Sequence, residues 1–290
     1  MAKNRLKIGI VGCGAIGTSL AKAIITDFAA QAKLVSLYDI DKNKILDLSK
    51  KLKSLSISRQ QSGERDSDIE AALACSSLDS LIKRSELVIE AARVKDCLRI
   101  TKRVLNKGRD IMILSVGGVI AHMQELRNLA LNNKARVYIP SGAICGIDAL
   151  KAASEKKIKK IILLTRKNPK SFNGIDYIKR KGIRLDKIKK DTLLFSGSAH
   201  QAIKLFPQNI NVAATLSIAG VKQVRVQVKI MACPTVKRNI HELYIESSAG
   251  RIYTRVENLL HPDNPKTSFL AVLSTIAALR QILDPVRIGT

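Results

Sequence analysis

Residues 6–17 read LKIGIVGCGAIG. Ile8, Ile10 and Val11 are apolar and favour a buried strand. Gly12, Gly14 and Gly17 then fall in a G-x-G-x-x-G spacing, and residues 19–25 open a helical pattern. A strand running into a glycine turn and then a helix is the setting in which a protein main chain holds a dinucleotide. The first glycine allows the sharp turn, the second lets a pyrophosphate approach, and the third lets the helix pack on the strand. Unpaired N–H groups at the helix start, aided by the helix dipole, face the phosphates. The expected cofactor contacts here are Gly12, Gly14, Ala15, Ile16 and Gly17.

A second apolar segment, residues 33–37, ends in Tyr38-Asp39. Asp39 follows the third glycine at about the 20-residue spacing of the carboxylate that binds the adenosine ribose. Asp41 competes for that role. A carboxylate at this place disfavours a 2′-phosphate, so NAD is expected over NADP. Lys42 and Lys44 keep NADP in play.

From here the chain alternates. Residues 42–55 form an amphipathic helix with Ile45, Leu48 and Leu52 on one face. Residues 56–77 are polar and read as a loop with room for a short strand. A helical segment at 78–83 precedes a buried strand at 87–92, and a helix at 94–106 stops at Lys107-Gly108. A strand at 110–115, a helix at 123–132 and a strand at 135–139 complete the first half. This order implies a Rossmann-type, doubly wound parallel sheet whose ligand lies beyond the strands' carboxyl ends. Those ends carry residues 12–17, Asp39, 90–93, 115–118 and 140–146.

After Pro140 the character changes. A small-residue turn at 141–146 and a short helix to Ala153 lead into period-two segments at 160–165, 192–195, 223–231, 241–247 and 251–256. Val224, Val226, Val228 and Ile230 alternate with Lys, Arg and Gln, the pattern of a half-solvated strand. The second region is therefore an α+β domain with a mostly antiparallel sheet and one helix at 212–218. Residues 267–282 form a last helix with Phe269, Leu270, Leu273, Ile276 and Ala277 on one face, expected to pack on the first domain. The expected division is residues 1–138 with 266–290, and residues 139–265.

The 290 residues are 46% hydrophobic, enough for two domains with real cores. No apolar run reaches the length of a membrane span and no signal peptide precedes Leu6, so a cytoplasmic enzyme is expected. The five cysteines are scattered and form no C-x-x-C, and the four histidines are dispersed. That argues against a disulfide framework and a metal site. A net charge of +26 predicts non-specific attraction to polyanions. Lysines cluster at 156–160, 179–181 and 187–190, but aromatics make up only 3%, too few for base stacking, so no specific nucleic-acid partner is expected.

The second half carries longer signatures: IPSGAICGIDAL at 139–150, LFPQNINVAATLSIAG at 205–220, NIHELYIES at 239–247 and NPKTSFLAVLSTIAAL at 264–279. With the glycine loop and the EAA and SVGG segments, these resemble the L-aspartate dehydrogenases over almost the whole chain, apart from residues 56–77. The resemblance implies NAD(P)-dependent oxidation of L-aspartate to iminoaspartate. That product hydrolyses to oxaloacetate and ammonia, or feeds quinolinate and hence NAD synthesis. It also implies a catalytic histidine at His241, cofactor contacts at Ala143 and Asn211, and a homodimer. Arg93, which follows EAA, departs from the small or polar residue usual there, and is expected near the nicotinamide or the phosphates.

The chemistry itself asks for a group that titrates near neutrality, because a proton moves as the imine forms. Among His122, His200, His241 and His261, only His241 opens a strand in the domain that should close over the nicotinamide. A dicarboxylate also needs cationic or N–H donors. Lys266, expected at the start of the last helix, and Thr267 are candidates, with Ser268 a further hydroxyl. The alternative is that these hydroxyls only cap that helix. Asn209 and Asn211 could orient the nicotinamide amide and the substrate, or simply form a turn. Rival readings are a dihydrodipicolinate-reductase-like or homoserine-dehydrogenase-like enzyme, and a Rossmann protein that senses nucleotide or binds RNA without catalysis.

Overall fold

β1 (Leu6–Val11) is an inner strand of a parallel sheet, its last four residues buried on both faces. In the computed structural model, which describes residues 5–57, 73–206, 210–220, 224–262 and 264–289, it pairs with β2 (Ala32–Tyr38) and with β3 (Leu87–Glu90). β4 (Asp110–Ile113) and β5 (Val137–Tyr138) extend the sheet to the order β2-β1-β3-β4-β5. An isolated parallel bridge between Leu37 and Ala74 begins a further position beyond β2. The chain order therefore reverses between β1 and β3, the place where such sheets open a ligand crevice. Residues 58–72, most of the polar stretch expected to be a loop, lie outside the described residues.

The sheet is covered on both faces. On one, α1 (Ala15–Thr26) and α2 (Lys42–Ile57) bring Leu20, Ile24, Ile45, Leu48 and Leu52 against Ile8, Ile10 and Leu37. On the other, α3 (Leu78–Arg84), α4 (Val94–Leu105) and α5 (Met123–Asn132) bring Leu81, Cys97, Ile100, Val104 and Leu126 against Val88, Ile111 and Ile113. Each fully buried Leu or Ile contributes roughly 1.5–3 kcal/mol. α4 shows why the sequence folds this way: its buried residues recur with helical spacing, and Gly108, with φ 62°, ends it.

The chain forms two compact units, Met1–Pro140 with Thr275–Arg287, and Ser141–Ser274 with Ile288–Thr290. The second holds a mixed, mostly antiparallel sheet in the order β10-β9-β6-β8-β7. Its strands are β6 (Ile158–Lys167), β7 (Thr192–Ser198), β8 (Gln227–Ala232), β9 (Asn239–Ser247) and β10 (Gly250–Asn258). Only β6 and β8 run parallel. One face buries Ile161, Leu163, Val228, Ile230, Leu243 and Ile245 beneath α6 (Ile147–Ala153), α8 (Ala199–Leu205) and α9 (Ile210–Ala219). α7 (Asp176–Arg180) adds Tyr177, whose ring packs 5.2 Å from that of Phe206. The other face is charged: Glu242 takes ion pairs from Arg166 at 3.0 Å and Arg255 at 2.8 Å, and a hydrogen bond from the Tyr253 hydroxyl at 2.8 Å.

Three expectations are corrected. The strand expected over 223–231 starts at Gln227, because its partner β7 ends at the Ser198–Gln227 rung where α8 begins. β12 (Asn264–Ser268) pairs with β11 (Leu260–His261), so Lys266 lies in a strand and the last helix, α10 (Phe269–Leu283), starts after it. The buried side of α10 is Val272, Thr275 and Leu279, whereas Leu273 is 44% exposed. α10 is apolar nearly all round, so its sequence supports more than one stripe.

Candidate active site

The first unit supplies a phosphate cradle. Gly12 turns at φ 102°, and a Cβ there would overlap the Ala91 carbonyl. A Cβ on Gly17 would overlap the Gly12 carbonyl, so α1 sits hard on the turn. Gly14 differs: a Cβ there would meet nothing within 4 Å. It is the N-cap of α1 and makes no side-chain cap, so the first N–H groups of the helix remain for an anion. Ala15 and Ile16 form the first turn behind it. This open space before uncapped amides fits a pyrophosphate.

Asp39 is aimed at the same turn. Its Oδ2 accepts the Cys13 N–H at 2.8 Å and its Oδ1 accepts the Asp41 N–H at 2.9 Å. Each oxygen retains room for a ribose hydroxyl. Asp41 instead accepts the Asn43 N–H at 3.1 Å, at the start of α2. The Cys13 thiol is pushed up to about 12 by burial and then by the Asp39 charge, against the pull of Lys44, so it stays protonated.

Glu90, fully buried at the end of β3, joins two segments of this rim. Its Oε1 accepts the Ala92 N–H at 2.9 Å, and its Oε2 accepts the Ser115 N–H at 3.0 Å and the Cys97 thiol at 3.2 Å. Burial raises its proton affinity, and these donors pull it back. Sequence reasoning placed residues 90–93 on the rim but missed the joining role of Glu90, although an acid inside the apolar run LVIEAA must find donors. Arg93 is exposed at the N-cap of α4, with its Nε 3.1 Å from Asp96.

The second unit supplies the imidazole. His241 sits on β9 opposite Thr165 of β6 and Val256 of β10. It is 6% exposed, and its Nδ1 lies 2.9 Å from Thr165 Oγ1. Burial, and then the charge of Lys167, lower its proton affinity to about 3. The expectation of an imidazole titrating near neutrality is therefore corrected: desolvation and a neighbouring cation both disfavour the charged ring. Lys167 is itself lowered to about 8 by burial.

Asn258 gathers other signatures at this end of the sheet. It pairs with Asn239, two residues from His241 along β9. Its Nδ2 donates to the buried Ala143 carbonyl at 3.0 Å, and its Oδ1 accepts the Ser268 hydroxyl at 2.7 Å. Ser268 is thus committed to Asn258. The sequence signal for Asn258 was a polar residue closing the inner row of a period-two strand.

Two family models match this chain. One, described as aspartate dehydrogenase, C-terminal, covers residues 148–282, and one described as homoserine dehydrogenase, NAD binding domain, covers residues 12–140. An L-aspartate dehydrogenase of Methanosarcina barkeri is 42% identical over 289 residues, 98% of this chain and 100% of that protein. The chain belongs to the L-aspartate dehydrogenase family. A relative of the same name from Methanocaldococcus jannaschii is 37% identical, over 98% of this chain and 100% of its own. Among solved structures, the aspartate dehydrogenase of Thermotoga maritima matches with a TM-score of 0.69 at 24% identity, covering 99% of this chain and 100% of that one. A homoserine dehydrogenase from Thiobacillus denitrificans matches at 0.59 and 13% identity, over 97% and 74%. These two likenesses show the shared fold.

The remaining family signatures are spread through the second unit. Asn211 is exposed in the first turn of α9. Lys266 and Thr267 follow one another in β12, and their side chains are not among those described. Asn209 lies outside the described residues. Of the other histidines, His122 is exposed with Glu125 at 3.2 Å, His200 is exposed, and His261 is buried with its ring 5.5 Å from that of Phe269.

Proposed function

We propose that this chain oxidises L-aspartate to iminoaspartate with NAD(P), NAD being preferred, and that water then converts the imine to oxaloacetate and ammonia. The observation that carries this reading is His241: a buried, neutral imidazole held at Nδ1 by Thr165, within a chain of this family. NAD(P), when bound, would supply the acceptor for the hydride of the substrate α-carbon. Gly14 and the first amides of α1 hold the pyrophosphate, and Asp39 receives the ribose hydroxyls and repels a 2′-phosphate. The family resemblance assigns the nicotinamide end to Ala143 and Asn211, and the reading gives the substrate carboxylates to Lys266, Thr267 and Asn209 as further donors.

With Nδ1–H donated to Thr165 Oγ1, Nε2 keeps its lone pair. It takes the proton that the substrate amine sheds before oxidation and returns it during imine hydrolysis. The reading requires the imidazole to reach the nicotinamide ring. It also includes a homodimer in the cytoplasm. Among the described residues no helix is long and apolar enough to cross a membrane.

The test is NADH formation at 340 nm with L-aspartate and other amino acids, with each cofactor in turn. His241→Ala is expected to lower kcat by about 100-fold or more while NADH binding, read by fluorescence, holds. Wild-type protein inactive on L-aspartate with both cofactors, or full turnover in His241→Ala, overturns the reading.

A further inference from the structure

Arg166 and Lys167 are adjacent cations at the end of β6 with opposite surroundings. Arg166 points to the charged face of the sheet and is neutralised twice, by Asp191 and by Glu242, each at 3.0 Å. Lys167 falls on the inner face, in line with Ile161, Leu163 and Thr165, by strand alternation. Among the described residues its ammonium has no carboxylate and no hydrogen-bond acceptor, although the residue is half-buried.

The position is rigid. The Lys167 backbone pairs with Ala232 of β8, and its carbonyl accepts the Cys233 N–H at 2.8 Å. Two residues back on the same row, Thr165 touches His241, and the Lys167 charge acts on that imidazole. The residues facing His241 across the strands, Thr165 and Val256, are uncharged. A part-buried cation without an anion costs stability, and a protein gains from it only if an anion arrives during function.

We propose that Lys167 is the cation that receives one carboxylate of a dicarboxylate substrate, beside His241. The inference rests on the dehydrogenase reading above and deepens it. A compact dianion suits the place because one carboxylate pairs with Lys167 while the second remains for another donor. The same event prepares the imidazole. In the free protein the Lys167 charge opposes protonation of His241, and a carboxylate seated on Lys167 cancels that opposition when a proton has to be taken up. Lys167 thus binds the substrate directly and tunes its catalytic neighbour.

The test uses the full chain with Lys167→Met and Lys167→Arg. For Lys167→Met we expect the KM for L-aspartate to rise roughly thirty-fold or more, the change that follows loss of a desolvated charge pair. kcat should fall much less and the Kd for NADH should be unchanged. Tm should stay the same or rise, because a part-buried, unpaired charge has been replaced by an apolar chain of similar length; a purely structural lysine would instead lower it. Lys167→Arg should recover part of the KM. A separate arm measures binding of succinate, which has two carboxylates and no amine to oxidise, by calorimetry. Wild-type binding that Lys167→Met abolishes upholds the carboxylate site even if L-aspartate is not turned over, in which case the dehydrogenase reading alone fails. An unchanged KM in Lys167→Met, or equal succinate binding by both proteins, overturns the inference.

Discussion

His241 holds its ring neutral at a pH where a free imidazole would be half charged. Its folded proton affinity, about 3, lies below the ordinary value of 6.5, so between those limits the unfolded chain binds the proton that the folded chain refuses. The stabilisation is therefore complete above pH 6.5 and is lost as pH falls toward 3. Chemical denaturation at pH 6.5 and pH 5 should show the wild type losing on the order of 2 kcal/mol more than His241→Asn. Equal losses would mean that the ring is charged in the native state. The histidine was legible because of its residue type and the segment around it. Its depressed affinity was not, because burial and Lys167 both arise only when β6 and β9 pair. Lys167 itself was one cation among 50 lysines and arginines, and nothing local marks it.

The strand–turn–helix at the N-terminus makes a sharper prediction at the level of elements, because its glycines do different work. Gly12→Ala forces a Cβ against the Ala91 carbonyl at a positive φ and should destabilise by about 1–3 kcal/mol. Gly14→Ala adds a methyl where the protein has no atoms. Its melting temperature should match the wild type while NADH affinity drops by about tenfold or more, some 1.4 kcal/mol. Fluorescence titration beside a thermal melt checks both, and wild-type affinity in Gly14→Ala would place the pyrophosphate elsewhere. Elements whose apolar period is unambiguous, such as α2 and α4, could be read before the structure. α10 could not be oriented because apolar residues surround it. The start of β8 could not be read either, since it is set by where its partner β7 turns into α8.

For the whole molecule the dominant fact is the charge of +26. Many of the acids are committed locally: Asp79 to Arg103, Glu125 to Lys102, Asp191 to Arg166, Glu257 to Arg255 and Asp186 to Arg184. The excess lysine faces solvent with little to offset it, so the chain should bind RNA or heparin through counterion release. That binding should weaken steeply, by about a hundredfold or more between 50 and 200 mM salt, with no preference for sequence. Tight binding that survives the higher salt would instead indicate a dedicated nucleic-acid surface. The presence of two units was legible as a change of period after Pro140, from alternating strand and helix to alternating residues. The gathering of Ala143, Ser268 and His241 at one sheet end was not, because Asn258 links segments far apart in the chain.

Cys145 gives the molecule a practical handle. Cys13, Cys75, Cys97 and Cys233 are buried and Cys145 is exposed, two residues beyond the carbonyl that Asn258 holds. A maleimide dye added to the native protein should therefore couple at one position per chain without any engineered mutation. Its emission would then follow, in real time, whatever enters or leaves beside that turn.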